Sequence, residues 1–295
     1  MNVPVRATAS RSTRLSYNKL CEIEDFADPR LRKYMCEILP QSCSDSPTFP
    51  AGQEHRKLWE VAMAARTLTD FGAVRPDAEI LGVGAGREAT IYWLTSRVRR
   101  VFATDLYLDA GAWEEVALKS MLISPGEYAP CPWNPRRLVV QHMDALDLLY
   151  EDDSFDGVFS SSSIEHFGDY DSVRHSIGEI YRVLKPGGVA SISTEFRLRG
   201  SRPGLPGVLM FDARQVDALF AASAEWEPLR EVDFAVSRAT IATELGYKDV
   251  LAGASDLPHI VLSEGTLWWT SVHLALLKSR SEDDESHSVE TLKRG

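Results

Sequence analysis

Two glycines and one acid are the residues of this sequence best suited to hold a ligand. Gly84 and Gly86 follow an apolar run, and Asp105 ends a second apolar run roughly twenty residues later. Because glycine has no Cβ atom, the backbone can turn sharply there, and a ligand can lie against the peptide planes at the N-terminus of the next helix. A carboxylate at the end of the second strand is placed to hold the two hydroxyls of a ribose. We therefore expect a bound cofactor that contains adenosine.

The elements that position these residues follow from the hydrophobic pattern of residues 79–105. The pattern predicts a strand, the glycine turn, a crossover helix and a second parallel strand that ends at Asp105. The turn alone does not decide the cofactor, because Ala89 satisfies the permissive form of the dinucleotide fingerprint G-x-G-x-x-G. At this point NAD remains an alternative.

The rest of the chain continues the alternation of strands and helices. Strands are predicted at 138–141, 155–159 and 189–196, with a helix at 170–184 between the last two. An amphipathic helix is predicted at 54–71, ahead of the glycine turn. Such alternation is typical of a parallel sheet covered by helices.

The composition is that of a globular protein with an acidic balance. The chain has 295 residues, of which 44% are hydrophobic and 25% are charged, and this suits one domain with appendages. The net charge of -11 argues against nonspecific binding to nucleic acid or to an anionic membrane, because no cationic field is available to release counterions. No apolar window reaches the roughly twenty residues that a membrane span needs. We therefore expect neither nucleic acid nor membrane as a partner.

The cysteines and the other potential metal ligands are scattered. Cys21, Cys36, Cys43 and Cys131 include no C-x-x-C pair and no histidine at ligand spacing. The pattern predicts reduced thiols and, from them, a cytoplasmic location. Carboxylates and histidines do not cluster at metal-binding spacing, so no metal requirement is expected.

Five motifs occur in the order and spacing typical of one enzyme family. They are ILGVGAGRE at the glycine turn, ATD at the ribose acid, MDALDL, DDSFDGVFSSSSIEHF and EIYRVLKPGG. With them the sequence resembles the class I S-adenosylmethionine (SAM) dependent methyltransferases over residues 54–196. The resemblance implies an α/β fold with a Rossmann-like, seven-stranded, mostly parallel sheet, an antiparallel C-terminal hairpin and helices on both faces. It also implies SAM as the cofactor, with S-adenosylhomocysteine (SAH) as its product, and this outweighs NAD.

The resemblance divides the chain into three parts. Residues 1–53 are expected to form an N-terminal extension, partly helical or flexible. Residues 54–278 are the expected methyltransferase domain, with insertions at 106–137 and 237–266. The acidic end, 279–295, is expected to be a disordered tail.

The resemblance also implies roles for particular residues in holding SAM. The positions are the backbone of Gly84 and Gly86 along the methionyl part, Asp105 at the ribose, Asp144 and the amide of Ala145 at the adenine, and Ser160 and Ser161 on the methionyl side. For the two acids the alternative is a structural role as a helix N-cap or turn former, and for the serines it is an ordinary loop.

Two of the cofactor-binding positions depart from the family pattern. Relatives usually have an acid where this chain has Gly82, and a glycine where it has Glu88. The missing acid normally orients the amino group of the cofactor. We expect Glu88 to substitute in part; the alternative is an acid of the first helical turn, which the helix dipole favours.

His166 is the expected catalytic residue, with Glu165 as the second candidate. His166 follows the fourth predicted strand, beside the expected methyl group, and an imidazole titrates near neutral pH. If the acceptor is an alcohol, a base must remove its proton. The alternative is that His166 bonds to the cofactor or to the loop backbone. Downstream, Arg197, Arg199 and Arg202 are either a grip for an acidic acceptor or solvated loop charges.

The predicted function is methyl transfer from SAM to a small-molecule acceptor, most simply a hydroxyl of a sugar or secondary metabolite. The alternative is a noncatalytic SAM- or SAH-binding or scaffold protein, which the missing acid at Gly82 would favour. Neither the acceptor nor the oligomeric state follows from the sequence, and SAH binding without methylation of any acceptor in a broad screen would favour the noncatalytic alternative.

Overall fold

The computed structural model describes residues 3–6, 16–109, 117–221, 226–228, 231–253 and 258–280. Its strands are, in chain order, β1 Val5–Arg6, β2 Lys19–Leu20, β3 Glu79–Val83, β4 Arg100–Asp105, β5 Leu138–His142, β6 Phe155–Ser161, β7 Leu184–Arg199, β8 Gly204–Leu205, β9 Val208–Leu209, β10 Trp226–Pro228, β11 Val236–Ser237, β12 Leu245–Gly246, β13 Leu262–Glu264 and β14 Leu267–Lys278. Its α-helices are α1 Pro29–Ile38, α2 Pro40–Asp45, α3 Arg56–Asp70, α4 Ala89–Thr95, α5 Tyr170–Val183, α6 Ala213–Ala221, α7 Arg238–Ile241 and α8 Tyr247–Leu251. Most of the predicted acidic tail, residues 281–295, lies outside the described residues.

A parallel sheet forms the centre of the fold. Its strands lie in the order β5-β4-β3-β6-β7 and all run in the same direction, with β14 antiparallel beside β7. This confirms the predicted Rossmann-like α/β class. Because parallel strands end at the same edge of a sheet, the loops that follow β3, β4, β5 and β6 meet there.

Three short strands share the outer edge of the long strand β14. β13 pairs with the beginning of β14, β2 with its middle and β10 with its end. The predicted antiparallel pairing at the C-terminal edge is present: β14 pairs antiparallel with β10 and with β13, and β13 lies within the predicted insertion at 237–266. The predicted N-terminal extension also contributes to the sheet, because β2 belongs to it.

Helices cover both faces of the sheet, as the alternation of strand residues requires. Ile80 and Phe159 pack with α1, α3 and α4 on one face, whereas Leu81 and Val158 pack with α5 and α6 on the other. Side chains alternate between the faces of a strand, so each buried strand presents apolar residues to both layers. Burying a leucine, isoleucine or phenylalanine side chain in this way contributes about 1.5–3 kcal/mol.

The cysteines differ from the sequence prediction. Cys36 in α1 and Cys43 in α2 form a disulfide with a Cα–Cα distance of 5.4 Å, whereas Cys21 and Cys131 are free and buried. The prediction of four reduced thiols is therefore wrong for this pair. The two cysteines are seven positions apart and meet because the chain turns between α1 and α2, which a search for C-x-x-C pairs does not detect. The predicted cytoplasmic location, which rested on reduced thiols, loses that support.

Within these same ranges, no helix combines the length and the apolar character that crossing a membrane demands.

Candidate functional site

A cavity of about 730 Å³ lies at the edge of the sheet where the parallel strands end. Its wall combines the glycine turn after β3, the end of β4, the loop after β5 and the loop after β6. Open α/β sheets bind their ligands at this edge. The cavity therefore brings together segments that are far apart in the sequence.

The glycine turn has the left-handed backbone that its sequence predicts. Gly84 has φ +61° and Gly86 has φ +46°, and residues with a side chain rarely adopt such values. A Cβ atom on Gly84 would lie 2.6 Å from the Cβ atom of Ser163. The Ser163 hydroxyl donates a hydrogen bond of 2.6 Å to the Gly84 carbonyl, which fixes the turn against the loop after β6.

Asp105 links the end of β4 to the glycine turn. Its Oδ2 accepts a hydrogen bond of 2.8 Å from the Gly86 amide, and its Oδ1 accepts one of 2.7 Å from the Leu106 amide. Burial raises the pKa of Asp105, while these two amide bonds act in the opposite direction. Each carboxylate oxygen has a second lone pair, so the group can still accept from two ligand hydroxyls. Asp105 lies in the cavity wall.

The loop after β5 provides the next part of the wall. Asp144 is exposed and accepts a hydrogen bond of 2.9 Å at Oδ1 from the Leu146 amide. Ala145 and Met143 are buried beside it, and all four residues line the cavity. The bond to Leu146 is the turn-forming role that the sequence left as an alternative for Asp144. It leaves Oδ2 of the carboxylate for a ligand.

The two positions that depart from the family pattern, Gly82 and Glu88, lie on either side of the glycine turn. A Cβ atom on Gly82 would lie 2.6 Å from Cζ of Phe159, so β3 has no room for an acid there. Glu88 instead places a carboxylate in the cavity wall, where Oε1 accepts from the hydroxyls of Thr90 at 2.7 Å and Ser161 at 3.2 Å. Burial raises the pKa of Glu88 to about 7, whereas the hydrogen bonds from the two hydroxyls act in the opposite direction. Glu88 is also the N-cap residue of α4, but its side chain makes no capping hydrogen bond.

The two predicted serines have different surroundings. Ser161 lines the cavity and bonds to Glu88, as described above. Ser160 is fully buried, and within the described part of the chain its hydroxyl has no hydrogen-bond partner. Because side chains alternate along a strand, consecutive residues at the end of β6 point to opposite sides. The structure thus brings Ser161 to the cavity, but not the side chain of Ser160.

His166 lies in the cavity wall, at the end of the 3-10 turn Ile164–His166 that follows β6. Its Nδ1 is 3.1 Å from the Gly207 carbonyl oxygen. Since a carbonyl only accepts, Nδ1 has the hydrogen and Nε2 has the lone pair in the neutral ring. Burial lowers the pKa of His166, which favours this neutral form. Gly207 lies between β8 and β9, so the hairpin of these two strands reaches the site.

Glu165 lies behind His166 and not in the cavity wall. It is 1% exposed, its Oε2 accepts a hydrogen bond of 2.8 Å from the Thr194 hydroxyl, and its Oε1 is 4.0 Å from Nε2 of His166. Burial and the nearby carboxylate of Glu195 raise the pKa of Glu165 to about 8. A raised pKa and a place behind the wall do not suit the direct base role that the sequence suggested.

Sequence reasoning missed Lys57, near the N-terminus of α3. The Lys57 side chain is 45% exposed and lines the cavity, and its Nζ lies 3.3 Å from Glu195 Oε1 and 3.5 Å from Glu60 Oε1. The available signal was Arg56 and Glu60, two charges at helical spacing in the same amphipathic segment. The burial of Arg56 and Glu60, which directs these charged side chains toward the site, follows only from the packing of α3 against the sheet.

The three arginines at the end of β7 and just beyond it lie outside the cavity wall. Arg197 pairs with Asp212 at 2.8 Å, Arg202 pairs with Glu264 at 3.1 Å, and the Arg199 guanidinium stacks on Trp268 at 4.8 Å. The three side chains therefore make structural contacts, and Arg197 is only 13% exposed, unlike the solvated loop charges of the alternative.

No group of three or more histidine, cysteine or acidic side chains among residues 3–6, 16–109, 117–221, 226–228, 231–253 and 258–280 has the arrangement of a metal site.

Comparison with known proteins agrees with the geometry. Residues 81–192 match a protein family described as methyltransferase domain, and this segment contains every cofactor-binding and catalytic position predicted from the sequence. No curated protein sequence matches the chain significantly.

Several solved structures are similar in fold at low identity. A proposed sarcosine dimethylglycine methyltransferase from Galdieria sulphuraria is 17% identical, with 75% of this chain and 86% of that chain covered and a TM-score of 0.49. Phosphoethanolamine N-methyltransferase 2 from Haemonchus contortus, solved with SAM, is 19% identical, with 74% and 52% covered and a TM-score of 0.46.

An amino pentose methyltransferase from Micromonospora echinaspora, also solved with SAM, is 18% identical, with 57% and 84% covered and a TM-score of 0.41. Similarity this low says nothing about the acceptor of this chain. The assignment rests on the matched segment and on the strand order, glycine turn and acids described above. Residues 81–192 are therefore a SAM-dependent methyltransferase domain, set in a Rossmann-like α/β fold.

Proposed function

We propose that this methyltransferase acts on a hydroxyl group of a small molecule and that His166 removes the hydroxyl proton. The observation that supports this best is that a single cavity is lined by the glycine turn, Glu88, Asp105 and His166. A cofactor held by the first three would therefore share its space with an acceptor that reaches the imidazole.

The residues of the cavity fit SAM in both shape and chemistry. The glycine turn lines the cavity at Gly84, Asp105 has lone pairs for the ribose hydroxyls, and Asp144 has one oxygen for the adenine amino group. We propose that Glu88 binds the amino group of the methionyl part, in place of the acid that β3 cannot accommodate.

SAM supplies a methyl group bound to a positively charged sulfur. The protein contributes mainly by aligning the acceptor for in-line displacement and by taking up its proton. His166 suits the second task, because the neutral ring has a lone pair on Nε2 while Nδ1–H donates to Gly207. The lowered pKa keeps this form populated at neutral pH.

A small acceptor is favoured over a macromolecule by size and by charge. A cavity of about 730 Å³ lies within the range of small-molecule sites. The net charge of -11 opposes the approach of a nucleic acid. The noncatalytic alternative rested on the missing acid at Gly82. Because Glu88 supplies a carboxylate in the same cavity, we do not retain it.

Two measurements test the proposal. Titration calorimetry with SAH tests the cofactor site. Transfer of a radiolabelled methyl group from SAM to a panel of small alcohols, amines and carbon acids tests the reaction. We expect labelled ethers from the alcohols, and a 10²–10⁴-fold lower kcat for His166→Gln.

The affinity for SAH is the control for the His166 variant and should change little. A protein that binds no SAH would refute the cofactor site. Labelling of amines alone, or full activity of His166→Gln, would refute the proposed acceptor chemistry.

A further inference from the structure

A group of charged side chains lies next to His166, buried behind the cavity wall except for Lys57, which is 45% exposed and reaches the cavity. We call it the buried charge cluster, and its members are Arg56, Lys57 and Glu60 of α3, Glu165 of the turn after β6, and Glu195 of β7. The three carboxyl groups are 1–4% exposed. A charged group is rarely buried unless it is paired, so the pairing within the cluster is informative.

The two cations of the cluster pair with only two of the three carboxyl groups. Arg56 Nη1 lies 2.5 Å from Glu195 Oε1 and 3.5 Å from Glu60 Oε1, and Lys57 approaches the same two oxygens. Glu60 also accepts a hydrogen bond of 2.6 Å from the Ser162 hydroxyl, and Ser162 lines the cavity. Among the described side chains, Glu165 has no arginine or lysine within ion-pair distance, and its only basic neighbour at that distance is the His166 ring, at 4.0 Å.

Two oxygens of the cluster lack a hydrogen-bond partner. They are Glu165 Oε1 and Glu195 Oε2, both buried, with no partner in the portion of the protein that the structure describes. Buried polar atoms are nearly always hydrogen-bonded, so two such oxygens in one cluster require an explanation. A proton on Glu165 supplies one, because it turns an acceptor into a donor and removes a charge that no cation balances.

The position of that proton follows from the contacts. Oε2 of Glu165 already accepts from Thr194, which leaves the proton on Oε1, the oxygen that faces His166 Nε2 at 4.0 Å. This separation is too long for a direct hydrogen bond, and it suits one bridging oxygen of a water molecule or of an acceptor hydroxyl.

We propose that Glu165 and Glu195 are positioning residues for methyl transfer: Glu165 holds one proton on the oxygen facing His166, and Glu195 keeps it there. This inference rests on the proposed function, in which His166 is the base. As the acceptor oxygen bonds to the methyl carbon, the carbon–sulfur bond breaks with its electron pair remaining on sulfur. The hydroxyl proton then passes to Nε2 of His166, and the negative Glu195 stabilises the imidazolium that results.

Glu195 and Lys57 change the pKa of Glu165 in opposite directions, and this provides a test. Burial and the carboxylate of Glu195 raise the pKa of Glu165, whereas Lys57 lowers it. Burial opposes ionisation of Glu195, but Arg56 and Lys57 hold its pKa below the ordinary value. Burial lowers the pKa of His166, and Lys57 adds to this, while the Gly207 carbonyl and Glu195 raise it.

Infrared spectroscopy detects the carbonyl stretch of a protonated carboxyl group and needs no acceptor. The difference between wild type and Glu165→Gln isolates the band of Glu165 from that of other acids, including Glu88. We expect this band at pH 7 and its loss near pH 8. In Glu195→Gln the pH at which half of this band is lost should fall by roughly one pH unit or more. In Lys57→Gln the same pH should rise.

Opposite shifts would not arise from loosened packing, which would move both midpoints down toward that of an ordinary glutamate. Lys57 is half exposed, so Lys57→Gln remains a test even if the variants at Glu165 or Glu195 fail to fold. In that case the whole carboxyl band of Lys57→Gln above pH 7 is compared with the same band of wild type. Absence of the band at pH 7, or a downward shift in Lys57→Gln, would overturn the inference.

Calorimetry with SAH on the same samples separates this inference from the proposed function. Wild type that binds SAH but lacks the band refutes only the role of Glu165 and Glu195. With an acceptor from the methylation screen, Glu195→Gln should lower kcat more than it raises KM. Its acid limb in the pH profile should move to lower pH, because Glu195 raises the pKa of His166.

Discussion

Replacement of Glu88 by glutamine tests whether this residue compensates for the acid that β3 lacks. The Glu88 carboxylate lies in the cavity wall, where it accepts hydrogen bonds from Thr90 and Ser161. If it binds the amino group of the cofactor, the variant replaces a charged hydrogen bond by a neutral one. Hydrogen bonds to charged groups contribute about 1.5–3 kcal/mol and neutral ones about 0.5–1.5 kcal/mol, so a difference of about 1–1.5 kcal/mol should lower the affinity for SAH at pH 8 about 5- to 13-fold.

The pH dependence gives a second and independent measure. Burial raises the pKa of Glu88 to about 7, so the free protein has a largely protonated Glu88 below that pH. An ammonium group favours the carboxylate, so binding below pH 7 must release a proton, and the affinity must fall as the pH falls. From pH 8 to pH 6 the charged fraction drops about tenfold, and the affinity of wild type for SAH should drop by a similar factor. Glu88→Gln should lack this dependence.

Titration calorimetry in two buffers of different ionisation enthalpy measures both the affinity and the number of protons released. Glu151→Gln is a matched control, because Glu151 is exposed and lies outside the cavity wall. The reasoning fails if Glu88→Gln binds SAH as tightly as wild type at pH 8, or if wild type binds more tightly at pH 6 than at pH 8.

Two further predictions concern the turn and the strands that flank it. Asp105→Ala removes the acceptor of the Gly86 amide together with the proposed ribose contact, and calorimetry should record at least about tenfold weaker SAH binding; unchanged affinity would contradict the assignment of the site. Gly82→Ala places a Cβ atom 2.6 Å from Phe159 and should lower the free energy of unfolding by about 1–3 kcal/mol in urea denaturation. Gly178→Ala is its control, because that glycine lies in α5 with no atom within 4 Å of an added Cβ, and it should raise stability by about 0.5–1 kcal/mol; equal effects of the two substitutions would refute the packing argument.

Local patterns were sufficient for the parallel core of the sheet. Apolar runs predicted β3 to β7 because most of these strands are buried on both faces and must be apolar along most of their length, although β5 at the edge is only partly buried. The glycine turn was predictable for a similar reason, since only glycine readily adopts the φ values of Gly84 and Gly86. Asp105 ends β4 next to that turn, so its place in the cavity followed from the strand order alone.

Other features depend on contacts between distant parts of the chain. The strands β2, β10 and β13 have two or three residues each, too few for a periodic signal, and they form because β14 offers them an edge. The disulfide between Cys36 and Cys43 depends on the turn between α1 and α2. In each case the information lies in pairing rather than in the segment itself.

The sequence by itself determined the fold class, the cofactor turn and the acids beside it, because these depend on local backbone geometry and on strand order. Only the tertiary structure decided that Phe159 excludes an acid at Gly82 and that Glu88 faces the same cavity. It also decided that Ser160 points away from the site, and that Lys57 and Glu195 approach it from α3 and β7. The physical reason is that burial and charge pairing are set by what packs across the sheet, and residues separated by more than a hundred positions supply that packing.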